Sequence, residues 1–337
     1  MRRPALVVVA ALAGLLLAGA PGAQAQAPLR IRIAWAVVPG HLFPVLFEHK
    51  EALRHYGVSY TVEPVHFAGS APEIAALATG DLEIAALGFS SFGTAIENAH
   101  MTDLRVIGDA TRDGHDGYET TRYAVRADDT IRKVEDLKGR VLATNGIGGA
   151  TYMAMRLMLL DHGLVERRDY QVVEAQFPNM LPMLEGKKAD LVPLLQPFLS
   201  MARQSGKVRM LFTMQDVMGE TQTTLLAARA PFIAAHRAAL VDFFEDMQRG
   251  LHWMVDPAHR QAAIATIAAF TKRPAANYAG WLFTKDDDYR DPEFRPNLAA
   301  LQHNLDVQQR LGLLAKKLVV KDYADLSLIE AAARRWR

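Results

Sequence analysis

Gly139–Phe177 reads G-R-V-L-A-T-N-G-I-G-G-A-T-Y-M-A-M-R-L-M-L-L-D-H-G-L-V-E-R-R-D-Y-Q-V-V-E-A-Q-F. Gly139–Asn145 predicts a strand and Gly146–Gly149 a loop. Ala150–His162 predicts a helix that stops at Gly163, where a left-handed end is cheap. Tyr170–Phe177 predicts a second strand. Residues 30–67 repeat that order. Arg30–Ala36 alternates in the β manner and turns at Val38-Pro39-Gly40. An amphipathic helix is expected from about Leu42 to Tyr56, stopped by Gly57, before the strand Tyr60–Phe67. Both closing strands carry Y-x-V-x-x-x-x-F. Each leads into a short helix ended by glycine, Ala71–Thr79 before Gly80 and Asn179–Glu185 before Gly186. A further apolar strand follows each, Leu82–Leu87 and Ala189–Leu195. Alternating strands and helices predict parallel sheets with right-handed crossovers, and two copies predict two similar α/β lobes.

Outside the repeat, Gln222–Arg229 predicts one more strand. From Pro231 the pattern is almost wholly helical, over Pro231–Val255 and Pro257–Phe270, then broken at Pro274, Pro292 and Pro296. This tail is expected to pack back on the first lobe. The first 25 residues are expected to stand apart as a signal peptide: Arg2 and Arg3, an apolar run Ala5–Ala20, the breaker Pro21-Gly22, and Ala23-Gln24-Ala25 ahead of a cleavage before Gln26. The apolar run is shorter than the roughly 20 residues a spanning helix needs. Removing Arg2 and Arg3 leaves 36 basic against 37 acidic residues, a balance of −1. The 337 residues suffice for two domains. The expected boundaries are 26–126 for the first lobe, 127–219 for the second, and 220–337 for a return to the first.

There is no cysteine, which removes disulfide scaffolds, thiolate metal sites and cysteine nucleophiles. The near-neutral balance gives no sign of a nucleic-acid partner. Gly146-Ile147-Gly148-Gly149-Ala150-Thr151 begins like a dinucleotide fingerprint, but Thr151 stands at the third glycine and no Lys-Ser/Thr pair follows. No cofactor is implied. What remains is close backbone access and free N–H groups at a helix start, which favour an anion. Gly69-Ser70-Ala71-Pro72 and Gly88-Phe89-Ser90-Ser91-Phe92-Gly93 resemble it, and neither is a G-x-S-x-G elbow. Histidines show no H-x-x-x-H pair, so no metal is expected, and Asp286-Asp287-Asp288 with Asp291 reads as a solvated turn. His41, after Pro39-Gly40, reads as a surface loop residue near the first strand end.

Val125–Thr151 contains Asp136-Leu137-Lys138-Gly139-Arg140, a strand and a Gly/Thr helix start. With Leu77–Leu87 and Ala189-Asp190…Gln196-Pro197-Phe198 it resembles the substrate-binding proteins of ABC transporters. The group is the nitrate/sulfonate/taurine type, which includes binders of thiamine-pyrimidine precursors. The resemblance implies a periplasmic two-lobe α/β binding protein of type II, each lobe a mostly parallel sheet flanked by helices, with crossover strands near Thr121–Arg126 and Thr221–Ala227. It implies a pocket of Trp35, His41, Ser70, Ser90 and Ser91 from the first lobe, and Gly149, Thr151, Tyr152 and Gln196 from the second. Trp35, Phe43 and Tyr152 would cover an apolar body. A monomer that captures a small sulfonate- or carboxylate-like solute and delivers it to an inner-membrane ABC permease is expected. The alternatives are a binder of a neutral pyrimidine or other heterocycle, and an enzyme of the related pyrimidine-synthase branch. A sensor-input module would require a signalling domain or membrane helix.

Overall fold

The computed structural model describes residues 27–48 and 53–336. The expected leader and its cleavage site lie outside them. In chain order the elements are β1 Leu29–Trp35, α1 Phe43–Leu46, β2 Tyr60–His66, α2 Ser70–Thr79, β3 Ala85–Gly88, α3 Phe89–Glu97, β4 Leu104–Asp113, β5 Arg122–Arg126, β6 Val141–Thr144, α4 Ala150–Asp161, β7 Gln171–Glu174, α5 Phe177–Glu185, β8 Val192–Leu194, α6 Phe198–Ser205, β9 Val208–Thr213, α7 Met214–Met218 and β10 Thr221–Arg229. The tail adds α8 Ala230–Ala235, α9 Arg237–Val255, α10 Arg260–Thr271, α11 Ala276–Ala279, α12 Leu298–Arg310 and α13 Ser327–Trp336.

Two sheets form, and they share one plan. In the first, β1 pairs in parallel with β2, the Ile33–Ile84 bridge joins β1 to the start of β3, and antiparallel β10 lies between β3 and β4. The order is β2-β1-β3-β10-β4. In the second, β6 pairs in parallel with β7, the Leu142–Leu191 bridge joins it to the start of β8, and antiparallel β5 lies between β8 and β9. The order is β7-β6-β8-β5-β9. The two lobes expected from the repeat are thus mostly parallel, each with one reversed strand. The segments placed by resemblance as crossovers are these reversed strands, and the chain passes between sheets just before each, over 114–121 and 214–220.

The structure departs from the sequence expectations at two helices. Of the helix expected over Leu42–Tyr56, α1 forms over Phe43–Leu46, residues 49–52 lie outside the described residues, and Arg54–Tyr56 are not helical. Their backbone N–H groups donate instead to the Asp246 carboxylate of α9, at 2.7, 2.9 and 3.1 Å. The single helix expected over Pro231–Val255 breaks at His236 into α8 and α9. Apolar residues of α9, α10 and α13 share one buried cluster with β1 and α1 (Ile31, Phe43, Phe243, Ile267, Leu328), whereas α12 belongs to a second cluster that also holds α3 and α4.

Candidate functional site

The strand directions decide where a ligand can sit. In the first sheet β1, β2, β3 and β4 are parallel, so Trp35, His66, Gly88 and Asp113 close their strands along one edge. In the second sheet Thr144, Glu174, Leu194 and Thr213 do the same. The chain leaves β4 at its carboxyl end to enter β5, and leaves β9 at its carboxyl end to enter β10. Both connections therefore join the two carboxyl edges, which is where parallel sheets place ligands.

Along the first edge, Trp35 ends β1 and meets His66 at 4.5 Å and Phe270 at 5.8 Å between ring centres. His41 is half-buried; its Nδ1 accepts the Ala36 N–H at 3.0 Å. Burial, reinforced by the Arg290 guanidinium, pushes its pKa down to about 4. It is a structured, neutral loop residue with the proton on Nε2, not the free surface group expected. The Ser70 hydroxyl accepts the Gly88 N–H at 3.2 Å and ties α2 to the end of β3. Ser90 is buried in the first turn of α3, and its carbonyl accepts from Gln308 Nε2 at 2.9 Å; Ser91 beside it is half-buried. Phe43 lies in the core at 3 % exposure, so it is not a ligand cover.

Along the second edge, the loop Asn145–Gly149 turns through Gly148 at φ +84°, a backbone that side chains with a Cβ resist. Gly149 is the N-cap of α4. The Thr151 hydroxyl is engaged inside the lobe, donating to Asn145 Oδ1 at 2.5 Å and lying 3.2 Å from Thr144 Oγ1. Tyr152 is likewise turned to its own lobe; its hydroxyl donates to Glu166 at 2.5 Å, and burial with that carboxylate raises its pKa to about 12. Gln196 is buried; its Oε1 accepts from the Ser200 N–H and hydroxyl, and its Nε2 has no partner. Gly69, Gly88 and Gly149 cap α2, α3 and α4 without any side-chain hydrogen bond. Three helix starts on the two edges thus keep backbone donors uncapped by side chains.

Sequence reasoning missed the segment 283–297 between α11 and α12. Tyr289 exchanges backbone hydrogen bonds with Arg112 of β4, and the Asp291 N–H donates to Asp109. Arg112 donates to Asp291 at 3.0 Å and Glu220 at 3.1 Å, with its guanidinium over the Tyr289 ring at 4.6 Å. Asp287 is 2 % exposed and paired with Arg290 at 2.9 Å. Burial drives Asp109 up to about 6, and Asp288 beside Asp287 is likewise pushed above the usual carboxylate range. The turn read as solvated is instead a partly buried ionic strap, Asp287 and Arg290 being buried while Asp286 and Asp288 stay partly exposed, because Arg290 and Arg112 supply partners from outside any local pattern. Among the described residues no group of three or more His, Asp or Glu is placed to hold a metal ion, and no helix is long and apolar enough to cross a membrane.

Comparison with solved structures returns this fold. The periplasmic aliphatic sulphonate binding protein SsuA from Escherichia coli is 20 % identical, aligned over 88 % of this chain and 92 % of its own, with a TM-score of 0.68. The periplasmic nitrate-binding protein NrtA from Synechocystis PCC 6803 is 13 % identical over 92 % of this chain and 89 % of its own, with a TM-score of 0.70. The desulfurization enzyme DSZB, 13 % identical over 92 % of this chain and all of its own, has a TM-score of 0.67, so binding proteins and an enzyme share the architecture. Residues 67–260, more than half of the sequence, match the family described as NMT1/THI5 like. The chain has the fold of the periplasmic binding proteins and belongs to the NMT1/THI5-like family.

Proposed function

We propose that this chain is the exported solute-binding component of an ABC importer and captures a small organic anion, sulfonate- or carboxylate-like, between its lobes. The observation that carries this reading is the set of three helix starts, α2, α3 and α4, capped by glycine without side-chain bonds on the two carboxyl edges. Uncapped N–H groups and the positive end of a helix favour a negative group. Ser91 and the free Nε2 of Gln196 add donors. Trp35 with Val37 and Ile147, which are 57 % and 56 % exposed on equivalent loops of the two sheets, offers apolar cover. On this reading residues 1–25 are a cleaved leader, 26–121 and 220–337 form one lobe and 122–219 the other, the boundary moving from the expected 126 because β5 pairs with β8 and β9 of the second sheet, and the monomer works in the periplasm with a membrane permease. Ligand that touches both edges only when they approach shifts the population to the closed form. An enzymatic role finds less support: there is no cysteine, and the His41 imidazole is engaged by the Ala36 N–H rather than by a serine.

The test is a thermal-shift and calorimetric screen of the mature chain against ethanesulfonate, benzoate and a neutral pyrimidine. A ligand at 100 times its Kd adds about 2.7 kcal/mol of stability. Ethanesulfonate or benzoate is expected to stabilise and the pyrimidine not; the reverse order would transfer the site to the neutral heterocycle. One charge-assisted hydrogen bond is worth about 1.5–3 kcal/mol, so Ser91→Ala is expected to weaken binding roughly ten- to a hundredfold. Thr151→Ala is expected to lower melting temperature chiefly, because its hydroxyl is already engaged by Asn145 and Thr144.

A further inference from the structure

Arg290 lies about 250 residues from the first strand-end loop in sequence, yet its guanidinium is built into that loop. Nη2 donates to the Pro39 carbonyl at 2.8 Å and approaches that of Gly40 at 3.5 Å. Nη1 donates to Asp287 Oδ2 at 2.9 Å and to the Asp288 carbonyl at 3.0 Å. The side chain is 4 % exposed. Asp287 is in turn held by the Phe283 and Asp288 N–H groups, at 2.9 and 2.7 Å. The strap that carries all three residues is fastened to β4 through Tyr289 and Asp291. Within the loop, the His41 N–H donates to the Val37 carbonyl at 2.7 Å, and the Ala36 N–H donates to His41 Nδ1. The loop is therefore closed at one end by His41 and clamped at its middle by Arg290.

We infer that Arg290 is a positioning residue for ligand binding: it fixes the Ala36–His41 loop in the shape that keeps His41 an Nε2–H donor at the edge of the site. This rests on the binding role proposed above. Arg290 need not touch ligand. Its carbonyl contacts define the turn, and its fixed positive charge opposes a second proton on His41. A protonated imidazole could not accept the Ala36 N–H, and the loop would lose its closing bond. The charged and titratable groups on this side are Arg290, with Asp287 and Asp288 behind it, and His66 from the end of β2, whose Nε2 lies 3.2 Å from the Ala36 carbonyl. A planar fork that reaches two carbonyls and a carboxylate at once is a task for arginine rather than lysine.

The experiment has two readouts. In ligand-free protein, the ring resonances of His41 followed by NMR against pH should show an Nε2–H tautomer that titrates near pH 4. In Arg290→Met the midpoint should rise, and in Arg290→Lys, which retains the charge, it should stay low. With ethanesulfonate as probe, Arg290→Met should lose at least tenfold in affinity at pH 7, and a further factor as pH falls through the raised midpoint; Arg290→Lys should recover part of the loss. Since the Met variant strands the Asp287 carboxylate, Arg290→Met/Asp287→Asn is made beside it and should give the same titration and affinity changes. An unchanged His41 midpoint in both Met variants overturns the inference, as does a moved midpoint with unaltered affinity. If ethanesulfonate fails to bind the native protein, the proposed ligand class falls, while the ring titration still decides whether Arg290 sets the loop.

Discussion

Glu73 is fully buried in the first turn of α2, with one carboxylate oxygen accepting the Ala86 N–H at 2.8 Å and the other without a partner. Burial raises its pKa from 4.5 to about 8, against the opposing backbone bond. The folded chain therefore keeps a proton that the unfolded chain releases above 4.5. Stability from this group is present below that pH and is lost as pH rises through 8, by up to about 1.4 kcal/mol per unit. Glu73→Gln retains an acceptor for Ala86 and cannot ionise. Its melting temperature relative to the native chain should rise steadily between pH 5 and pH 8.5; a pH-independent difference would show that the carboxyl ionises freely. Such a role is invisible in the sequence, where Glu73 is one more polar residue of an amphipathic helix. His41 was legible by position and misread in character, since the arginine that neutralises its loop comes from the tail.

Elements were legible where their pattern is local. β1, β2, α2, α4 and β10 fall close to the predicted spans because alternation, helical spacing and terminal glycines are written in consecutive residues. β4 was not singled out, since Asp109, Arg112 and Asp113 interrupt its apolar run, and these charges are buried only because the strap and the 114–121 segment partner them. The same logic governs α3. Gly93 lies inside this helix, where Gly normally costs about 1 kcal/mol relative to Ala. A Cβ there would meet Gln308 Oε1 at 2.8 Å, Leu305 at 3.0 Å and Leu314 at 3.1 Å. Gln308 cannot swing aside, being buried and bonded to the Ser90 carbonyl. Overpacking costs about 1–3 kcal/mol, so it outweighs the propensity gain. Gly93→Ala is expected to lower the melting temperature and, by displacing the first turn of α3, to weaken ligand binding; a gain in stability would mean that α12 yields.

At the scale of the molecule, the repeat in the sequence foretold two sheets of one plan, and the strand directions turn their carboxyl edges toward each other. What it did not foretell is how the lobes hold one another. Asp286 of the strap, which is fastened to the first sheet, pairs with Arg203 of α6 at 3.0 Å and lies 3.8 Å from Arg122 of β5. Arg310 of α12 pairs with Asp161 at the end of α4 at 2.8 Å. These side chains are one-fifth to just over one-half exposed, so each pair contributes about 0–1 kcal/mol and is screened over about 10 Å at 0.1 M salt. The buried part of the interface is apolar: residues of α4 and α12 share one cluster, with Met153 and Leu157 from the first and Leu301 and Leu305 from the second. On the closure proposed above, that cluster would stay together while the Asp286 pairs lie at the moving side. Removing a pair made only in the approached arrangement raises Kd by at most about fivefold per kcal/mol. Asp286→Asn is accordingly expected to raise the Kd for an anionic ligand two- to fivefold at low salt, with the difference gone at 0.5 M NaCl. The same variant should enlarge the radius of gyration of ligand-free protein in small-angle scattering. An unchanged Kd and radius at low salt would mean that Asp286 pairs equally well whether the lobes are together or apart.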